Sequence, residues 1–426
     1  MKLLQSILGS IAARIIKKYK PLIVGITGSA GKTSTKEAVL SVLTGNVTVR
    51  ATPKSYNTEV GLPCAVIGEV AAGKDIIGWM RVIIRGVWLL ITRSEFPKVL
   101  VLEMGADHPG DLKKLTDVAT PVVSIVTAVG TAHIGFFGSL GAIAEEKETL
   151  VRVLPPDGTA ILNVDDPRVD AMRSATKAKV VTYGLNATAD VRATAVEYLR
   201  DPKTLAVLGL QVNVTAGAFT ATFDLPGVLG KGHVRAALAA LACARAVGVP
   251  LAAAATGLAR YAPPPSRVRL IPGVRGTVII DDSYNASPAA MFEALEVLKE
   301  YPVPTGRKRI ALLGDMRELG NFTEKAHREV GERVARDQFD LFVAVGEAMH
   351  DALEAAKGAG MNEDKCIHMA DALSAGKFLQ DRIRAGDVIL IKGSQNTIRL
   401  ERAVKELMAE PERAKELICR QGKEWQ

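Results

Sequence analysis

The pattern of apolar and polar positions falls into alternating strand and helix periods from about residue 22 to the end. The run Leu22 to Ile26 is uniformly apolar, and a polar Gly-rich turn follows over residues 27–34. Ala38, Val39, Val42 and Leu43 then recur at helical spacing. Further buried-strand runs are Lys98–Leu102 (KVLVL), Pro121–Thr127 (PVVSIVT) and Gly158–Asn163 (GTAILN). Residues 51–63 are polar and bounded by Pro and Gly, which predicts a loop entering a helix. Leu140–Val153 predicts a helix with a charged, solvated face over Glu145, Glu146, Lys147 and Glu148. From Ala187 to Pro226 the pattern shifts to short alternating runs, an antiparallel excursion. Val234–Ala255 is Ala-rich and reads as one helix. A Pro-rich break at Tyr261–Arg269 precedes a second α/β pattern. Its strands are Thr277–Ile280, Arg309–Leu313, Asp340–Val345 and Asp387–Ile391, with a helix opened by Pro288. The fold class is therefore α/β. A mostly parallel sheet with an antiparallel excursion occupies residues 21–262, and a Rossmann-like domain occupies 263–426.

Composition narrows the functional classes. The 426 residues are 48% hydrophobic and 23% charged, ordinary for a globular chain. Net charge is +8, which suits anionic small molecules; with only 5% aromatics neither a base-stacking platform nor a nucleic-acid partner is expected. Cys64, Cys243, Cys366 and Cys419 are scattered, so neither a disulfide framework nor a zinc site is expected, and a reducing, cytoplasmic setting is. Residues 1–20 form a basic amphipathic segment without the signature of a signal peptide. Ile76–Ile91 is strongly apolar, yet Arg81 and Arg85 argue against a membrane-spanning helix. Segments 1–20 and 76–93 are expected to pack on the body or on each other, with peripheral contact to the inner face of an anionic membrane as the sharper reading.

The chemistry concentrates after the first strand. Gly28, Ser29, Ala30, Gly31, Lys32, Thr33 and Ser34 form a strand–turn–helix unit that cradles phosphate with backbone N–H groups. The first glycine of the general P-loop pattern falls on Ile26, so the match is partial. Lys32 supplies a charge for β- and γ-phosphates, and the Thr33 hydroxyl suits Mg²⁺. Glu103, at the end of a strand predicted for the same sheet, is a Walker-B-like acid. His133 lies just past another strand end, the side on which open α/β sheets bind ligands. Spacing alone does not mark Lys147. Tyr56, Asn57 and Thr58 offer hydrogen-bonding groups in their loop.

Eight segments in order, TGSAGKTS, SYNTEVGLP, LEMGAD, TAVGTAHIGFFGSLGAIAEEKETL, NVDDP, DDSYNASP, LGDMRELG and KGS, resemble the Mur ligase family, and the later ones its MurF type. The resemblance covers about residues 21–405. It implies an ATP-dependent ligase of peptidoglycan precursor synthesis, acting through an acyl phosphate on UDP-MurNAc-tripeptide and D-alanyl-D-alanine. It implies ATP at residues 28–34 with Arg267 and Asp282, and two Mg²⁺ ions, one at Thr33 and Glu103, the other at His133 and a carbamylated Lys147. Lys32, His133, Lys147 and Arg267 take catalytic roles, and Asn57, Asn285 and Lys392 position substrate. A monomer is expected. Three departures accompany the resemblance. The usual His-Asn-x-x-Asn is Gly232-His233-Val234-Arg235-Ala236, so both asparagines of the adenine contact are missing and His233 is left able to hydrogen-bond or stack there. Lys-Gly-Ser-Arg ends in Gln395. The P-loop starts near residue 20, so the UDP-sugar-binding domain is expected to be replaced by segment 1–20. A Mur-fold ligase for another carboxylate, of folylpolyglutamate-synthase-like or lipid-linked kind, and a non-catalytic nucleotide-binding subunit are the competing expectations.

Overall fold

A computed structural model describes residues 2–53, 56–395, 397–422 and 425. Ser55, the first residue of the SYNTEVGLP segment, lies outside the described residues, as do Met1, Lys54, Asn396, Lys423, Glu424 and Gln426. The chain divides into two compact units. The first comprises Met1–Glu197, Gln211–Leu225 and Gly232–Ala262; the second comprises Tyr198–Leu210, Pro226–Lys231 and Pro263–Gln426. Residues 1–20 are thus part of the first unit, and two short stretches before residue 263 belong with the second.

The first unit is built on β1 (Leu22–Thr27), β2 (Val49–Ala51), β3 (Val99–Glu103), β4 (Val123–Val126), β5 (Thr159–Asn163) and β6 (Lys179–Gly184). The sheet continues through β7 (Val191–Arg200), β8 (Val207–Ala216) and β9 (Phe219–Pro226), in the order β2-β3-β1-β4-β5-β6-β7-β8-β9. The pairs from β2 to β6 are parallel. Every residue of β3 and β4 is buried, as expected of parallel strands covered on both faces. The two-residue loop Gly217-Ala218 joins β8 and β9, a length that only an antiparallel hairpin allows. Strand order reverses at β1, which has β3 on one side and β4 on the other. That places the switch-point crevice at the carboxyl ends of these three strands.

The helices before β5 are α1 (Lys2–Tyr19), α2 (Lys32–Leu43), α3 (Gly61–Ile67), α4 (Ile76–Ile91), α5 (Asp111–Val118), α6 (Ile134–Phe137) and α7 (Leu140–Arg152). The predicted apolar face of α2, Ala38, Val39, Val42 and Leu43, is buried. Leu8, Ile11, Ala12 and Ile15 of α1 join the same core as α3, β3 and α7. Helix α1 is an integral part of the unit, packed on α3 and α4.

The second unit holds β10 (Arg269–Gly273), β11 (Thr277–Asp282), β12 (Arg309–Gly314), β13 (Leu341–Val345), β14 (Cys366–Met369) and β15 (Val388–Lys392), in the order β10-β11-β15-β12-β13-β14. Of these strands only β10, at an edge, runs antiparallel.

Four strands escape the sequence pattern, the first being β2, of only three residues. Strand β14 has four residues, β6 lacks alternation, and β10 contains Pro272, tolerated because the strand is an edge. The Ala-rich stretch is two helices, Lys231–Val247 and Leu251–Gly257, rather than one. Gly248 adopts φ +87° and Pro250 cannot continue a helix, so the chain must break between them.

Ile15 is fully buried in α1. Ile15→Ala should cost about 2–5 kcal/mol, read as a lower urea midpoint for the full chain. A loss below about 0.5 kcal/mol would mean that α1 is not part of the core.

Candidate active site

The turn between β1 and α2 is shaped by close approach to β4. Gly28 has φ +146°, and a Cβ there would lie 1.9 Å from Thr127 Oγ1, so only glycine fits. Gly31 is also left-handed, with φ +82°. Thr127 Oγ1 lies 2.5 Å from the Ala30 carbonyl oxygen and 3.1 Å from that of Thr27. The Ser29 amide donates to the Ala128 carbonyl at 2.8 Å, and Ser29 Oγ donates to that of Gly130. The backbone is thereby clamped onto the neighbouring strand end ahead of the N-terminus of α2, the arrangement that receives anions. Lys32 Nζ donates back to the Gly28 carbonyl at 2.7 Å, which holds its charge over the turn.

Glu103 ends β3 with 1% exposure. Its Oε2 accepts from Thr33 Oγ1 at 3.1 Å, and its Oε1 accepts from Asn57 Nδ2 at 3.3 Å. Its backbone N–H donates to Thr52 Oγ1. Gly105 is close-packed here too, since a Cβ would fall 2.7 Å from Asn57 Nδ2. Thr33, Asn57 and Glu103 are therefore one cluster, joined from the first turn of α2, the loop before α3 and the end of β3. The carboxylate is bonded by two neutral groups and forms no ion pair among the described residues. A buried carboxylate in that state retains its demand for a cation. Hard oxygen donors beside phosphate-binding amides suit Mg²⁺, which takes few protein ligands and completes its shell with water and phosphate. The donor set fits. Among the described residues no three His, Cys, Asp or Glu side chains gather to hold a metal by themselves.

His133 caps α6 in a left-handed conformation, φ +61°, and its Nε2 lies 3.4 Å from Asp107 Oδ1. Lys147 corrects the expected solvated face of α7. It lies in the buried stripe Ile143, Lys147, Leu150, Val151 and is 3% exposed. Burial pushes its amine down to about 7, and the nearby Lys32 charge acts in the same direction; Glu146 and Asp107 only partly offset them. The i, i+4, i+7 spacing from Ile143 through Lys147 to Leu150 is a sequence signal that marks the residue. Glu146, from the same charged run, caps α5 by accepting from the Gly110 and Leu112 amides, each at 2.8 Å.

The NVDDP segment braces the turn from the next strand. Asn163 Nδ2 donates to the Thr127 carbonyl at 2.7 Å, and Asp166 accepts from the Val129 amide at 2.7 Å. Asp165 accepts from the Leu185 amide and from Arg235 Nε, both within 2.9 Å. His233 is buried and bonds Tyr261 Oη at 2.7 Å through Nδ1. This bond gives the buried imidazole a structural task.

In the second unit, Asp282, Asn285 and Lys392 come together at the carboxyl ends of β11 and β15. Lys392 is 1% exposed, with Nζ 2.5 Å from Asp282 Oδ2 and 2.9 Å from the Asn285 carbonyl oxygen. Asp282 Oδ1 accepts from the Val268 amide. Adjacent Asp281 is fully buried, and desolvation raises its carboxyl to about 6. The Arg267 guanidinium lies 4.0 Å from the Tyr284 ring centroid, and Arg420 stands 5.2 Å from the same centroid. Arg267 is flanked by left-handed Ser266 and Val268, φ +56° and +46°, so this segment is held in an unusual backbone conformation. Arg420, which sequence reasoning missed, bonds buried Glu401 and the Tyr284 carbonyl.

Comparison with known proteins finds relatives over most of the chain. Residues 88–244 match the model of the Mur ligase middle domain, and 266–395 that of the Mur ligase, glutamate ligase domain. A UDP-N-acetylmuramoyl-tripeptide--D-alanyl-D-alanine ligase of Mycobacterium bovis is 35% identical over 393 residues, 87% of this chain and 70% of that one. The ligase of the same name from Bacillus subtilis is 28% identical, over 95% and 79% of the two chains. The crystal structure of MurF ligase from Thermotoga maritima in complex with ADP superposes with TM-score 0.78 and 27% identity, over 96% and 84% of the chains.

The Lys147 amine sits at about 7 in the folded chain, against an ordinary 10.5. The unfolded chain therefore binds more protons between those values. Stability rises with pH through that window, and the burial cost of the ammonium is fully present below it. In carbonate-free buffer, Lys147→Met should stabilise the chain more at about pH 6 than at about pH 9, read as the difference between variant and wild-type urea midpoints. An equal difference at both values would refute the burial of an ionisable amine.

Proposed function

Because this chain belongs to the Mur ligase family, we propose that it makes the amide bond named by its relatives, joining D-alanyl-D-alanine to UDP-N-acetylmuramoyl-tripeptide with ATP. The observation that carries the reading is the cluster of Thr33, Asn57 and Glu103 beside the clamped P-loop, in a chain similar to such ligases over most of its length. A carboxylate oxygen of the tripeptide attacks the γ-phosphorus of ATP as the bond to ADP breaks, giving an acyl phosphate. The dipeptide amine then attacks the carbonyl carbon. A tetrahedral intermediate collapses, phosphate leaves with the electron pair, and the amine proton is lost.

The chain's own groups divide this work. The amides of residues 28–34 and Lys32 hold the β- and γ-phosphates and balance charge as it moves to ADP. Thr33 and Glu103 are suited to one Mg²⁺, and His133 with Lys147 to a second, where the ions would neutralise phosphate oxygens. Lys147 is disposed to carbamylation because its amine, near 7, is largely neutral at physiological pH and therefore nucleophilic toward CO₂. The carbamate supplies an anionic oxygen, the donor that Mg²⁺ prefers to an ammonium. Arg267 is assigned to the γ-phosphate and Asp282 to the nucleotide. Asn57 and Asn285 position substrate; Lys392 acts through its bonds to Asp282 and the Asn285 carbonyl. A monomer suffices, since one chain carries every assigned group. The UDP-linked substrate, ATP and four free buried cysteines suit the cytoplasm.

Phosphate release with ATP and Mg²⁺ should require both UDP-MurNAc-tripeptide and D-alanyl-D-alanine, with the pentapeptide product detected by mass. Lys32→Ala and Glu103→Gln should each lower kcat by about 10²-fold or more. Release that neither substrate stimulates would overturn the assignment.

A further inference from the structure

Helix α4 has two apolar faces, and only one is used by the core. Val82, Gly86 and Leu89 face inward. A Cβ on Gly86 would meet Ile11 Cγ2 at 2.6 Å, so the glycine lets α1 and α4 seat closely. Lys18 Nζ donates to the carbonyls of Leu89, Leu90 and Thr92, and Tyr19 Oη donates to that of Leu89. This cation at the C-terminus of α4 satisfies orphan carbonyls and complements the helix dipole. Tyr19 stacks on Phe96 just beyond, with centroids 4.5 Å apart. Helix α4 is thus fixed along its inner face and at its end.

The outer face is apolar and exposed. Ile76, Ile77, Met80, Ile84, Val87, Trp88 and Ile91 carry 41–77% of their surface to solvent. At 100° per residue these seven span an arc of about 120°. Leu3 and Ile7 of α1 are exposed as well. They lie toward the start of α4, because Ile11 meets Gly86 and Lys18 meets Leu89, which makes the two helices run in the same direction. Basic groups border the stripe. Arg81 and Arg85 follow it around the helix, and the Arg85 guanidinium lies 4.5 Å from the Trp88 ring centroid. Residues 1–20 and 69–95 together carry nine basic and three acidic side chains. Among the described residues no helix is long and apolar enough to cross a membrane.

We propose that the α1–α4 face docks on an anionic lipid bilayer, with α4 lying in the plane of the interface. The exposed stripe enters the headgroup boundary, Trp88 sits at headgroup level, and Arg81 and Arg85 reach anionic phosphates from its border. Charge complementarity selects this occupant. A second copy of the chain would bring two basic rims together across a two-fold axis, which like charge opposes.

The test uses the full chain in sedimentation with vesicles of phosphatidylcholine alone or mixed with phosphatidylglycerol. Deletion of α1 is unsuitable because it removes core residues. Instead, Ile84→Glu/Ile91→Glu and Arg81→Glu/Arg85→Glu alter positions outside the core, all exposed but half-buried Arg85, with circular dichroism verifying the fold. The wild type should pellet with anionic vesicles at least about tenfold more than with phosphatidylcholine, and less in high salt. Both double variants should lose that gain while keeping the wild-type spectrum. Equal supernatant recovery with and without anionic vesicles would overturn the proposal. So would vesicle binding that survives both variants, or a dimer in light scattering that Ile84→Glu/Ile91→Glu dissolves without any vesicle binding. None of these readouts depends on ligase activity.

Discussion

The first unit depends on the contact between Gly28 and Thr127. A side chain on Gly28 would collide with the Thr127 hydroxyl, and that hydroxyl reaches two carbonyls of the turn. The turn must therefore curl against the end of β4, with the Ser29 amide held by the Ala128 carbonyl, and it enters α2 through left-handed Gly31. Everything beyond is bracing. Asn163 holds the Thr127 carbonyl, Asp166 holds the Val129 amide, and Asp165 is held by Arg235. The turn is thus tied through β4 to β5 and to the Ala-rich helix, which explains why sequence motifs far apart in the chain serve one loop.

The two units treat buried charge differently. In the first, Glu103 is buried with neutral partners, and Lys147 is buried with only long-range help from Glu146 and Asp107. Such groups are costly in a finished fold and make sense where a ligand completes the charge balance. In the second unit, Asp282 and Lys392 neutralise each other, and Arg420 and Arg399 neutralise Glu401. Those pairs fix the geometry of the strand ends at which Asn285 sits. Asp281 is the exception, fully buried with its carboxyl raised by desolvation and bonded to the Ser283 amide.

Most of the architecture was legible in the pattern of apolar runs, because parallel strands buried on both faces leave uniform stretches such as VLVLE at β3. The P-loop, Glu103 and the strand-end position of His133 were legible for the same reason, since topology delivers them to one edge. The remainder was decided by neighbours distant in sequence. The charged run of α7 resembles a solvated face until the stripe Ile143, Lys147, Leu150 is set against the core. His233 stands where a nucleotide contact is expected, but its bond to Tyr261, 28 residues on, gives it a structural task. Strand β10 was hidden by its proline, and the break in the Ala-rich stretch rests on Gly248 and Pro250 alone. Arg420 has no local signal at all, since its partners Glu401 and Tyr284 are distant in sequence.

Two buried lysines of the first unit differ in function for the same reason. Lys36 and Lys147 both lie on helices that flank the P-loop turn, and both are nearly inaccessible. Lys36 donates to the Thr52 carbonyl at 2.8 Å and pairs with Glu37 at 3.0 Å, so its nitrogen is held in place. It also anchors the loop that delivers Asn57 to Glu103, through the Thr52 hydroxyl that accepts from the Glu103 amide. Lys147 has no comparable acceptor among the described residues and feels Lys32 instead, so its neutral form is favoured. A neutral amine in a dry, electropositive setting is a nucleophile, whereas a fully bonded ammonium is a strut. Burial alone would give the two residues the same role; the partners around each nitrogen make one a strut and leave the other suited to the chemistry proposed for it.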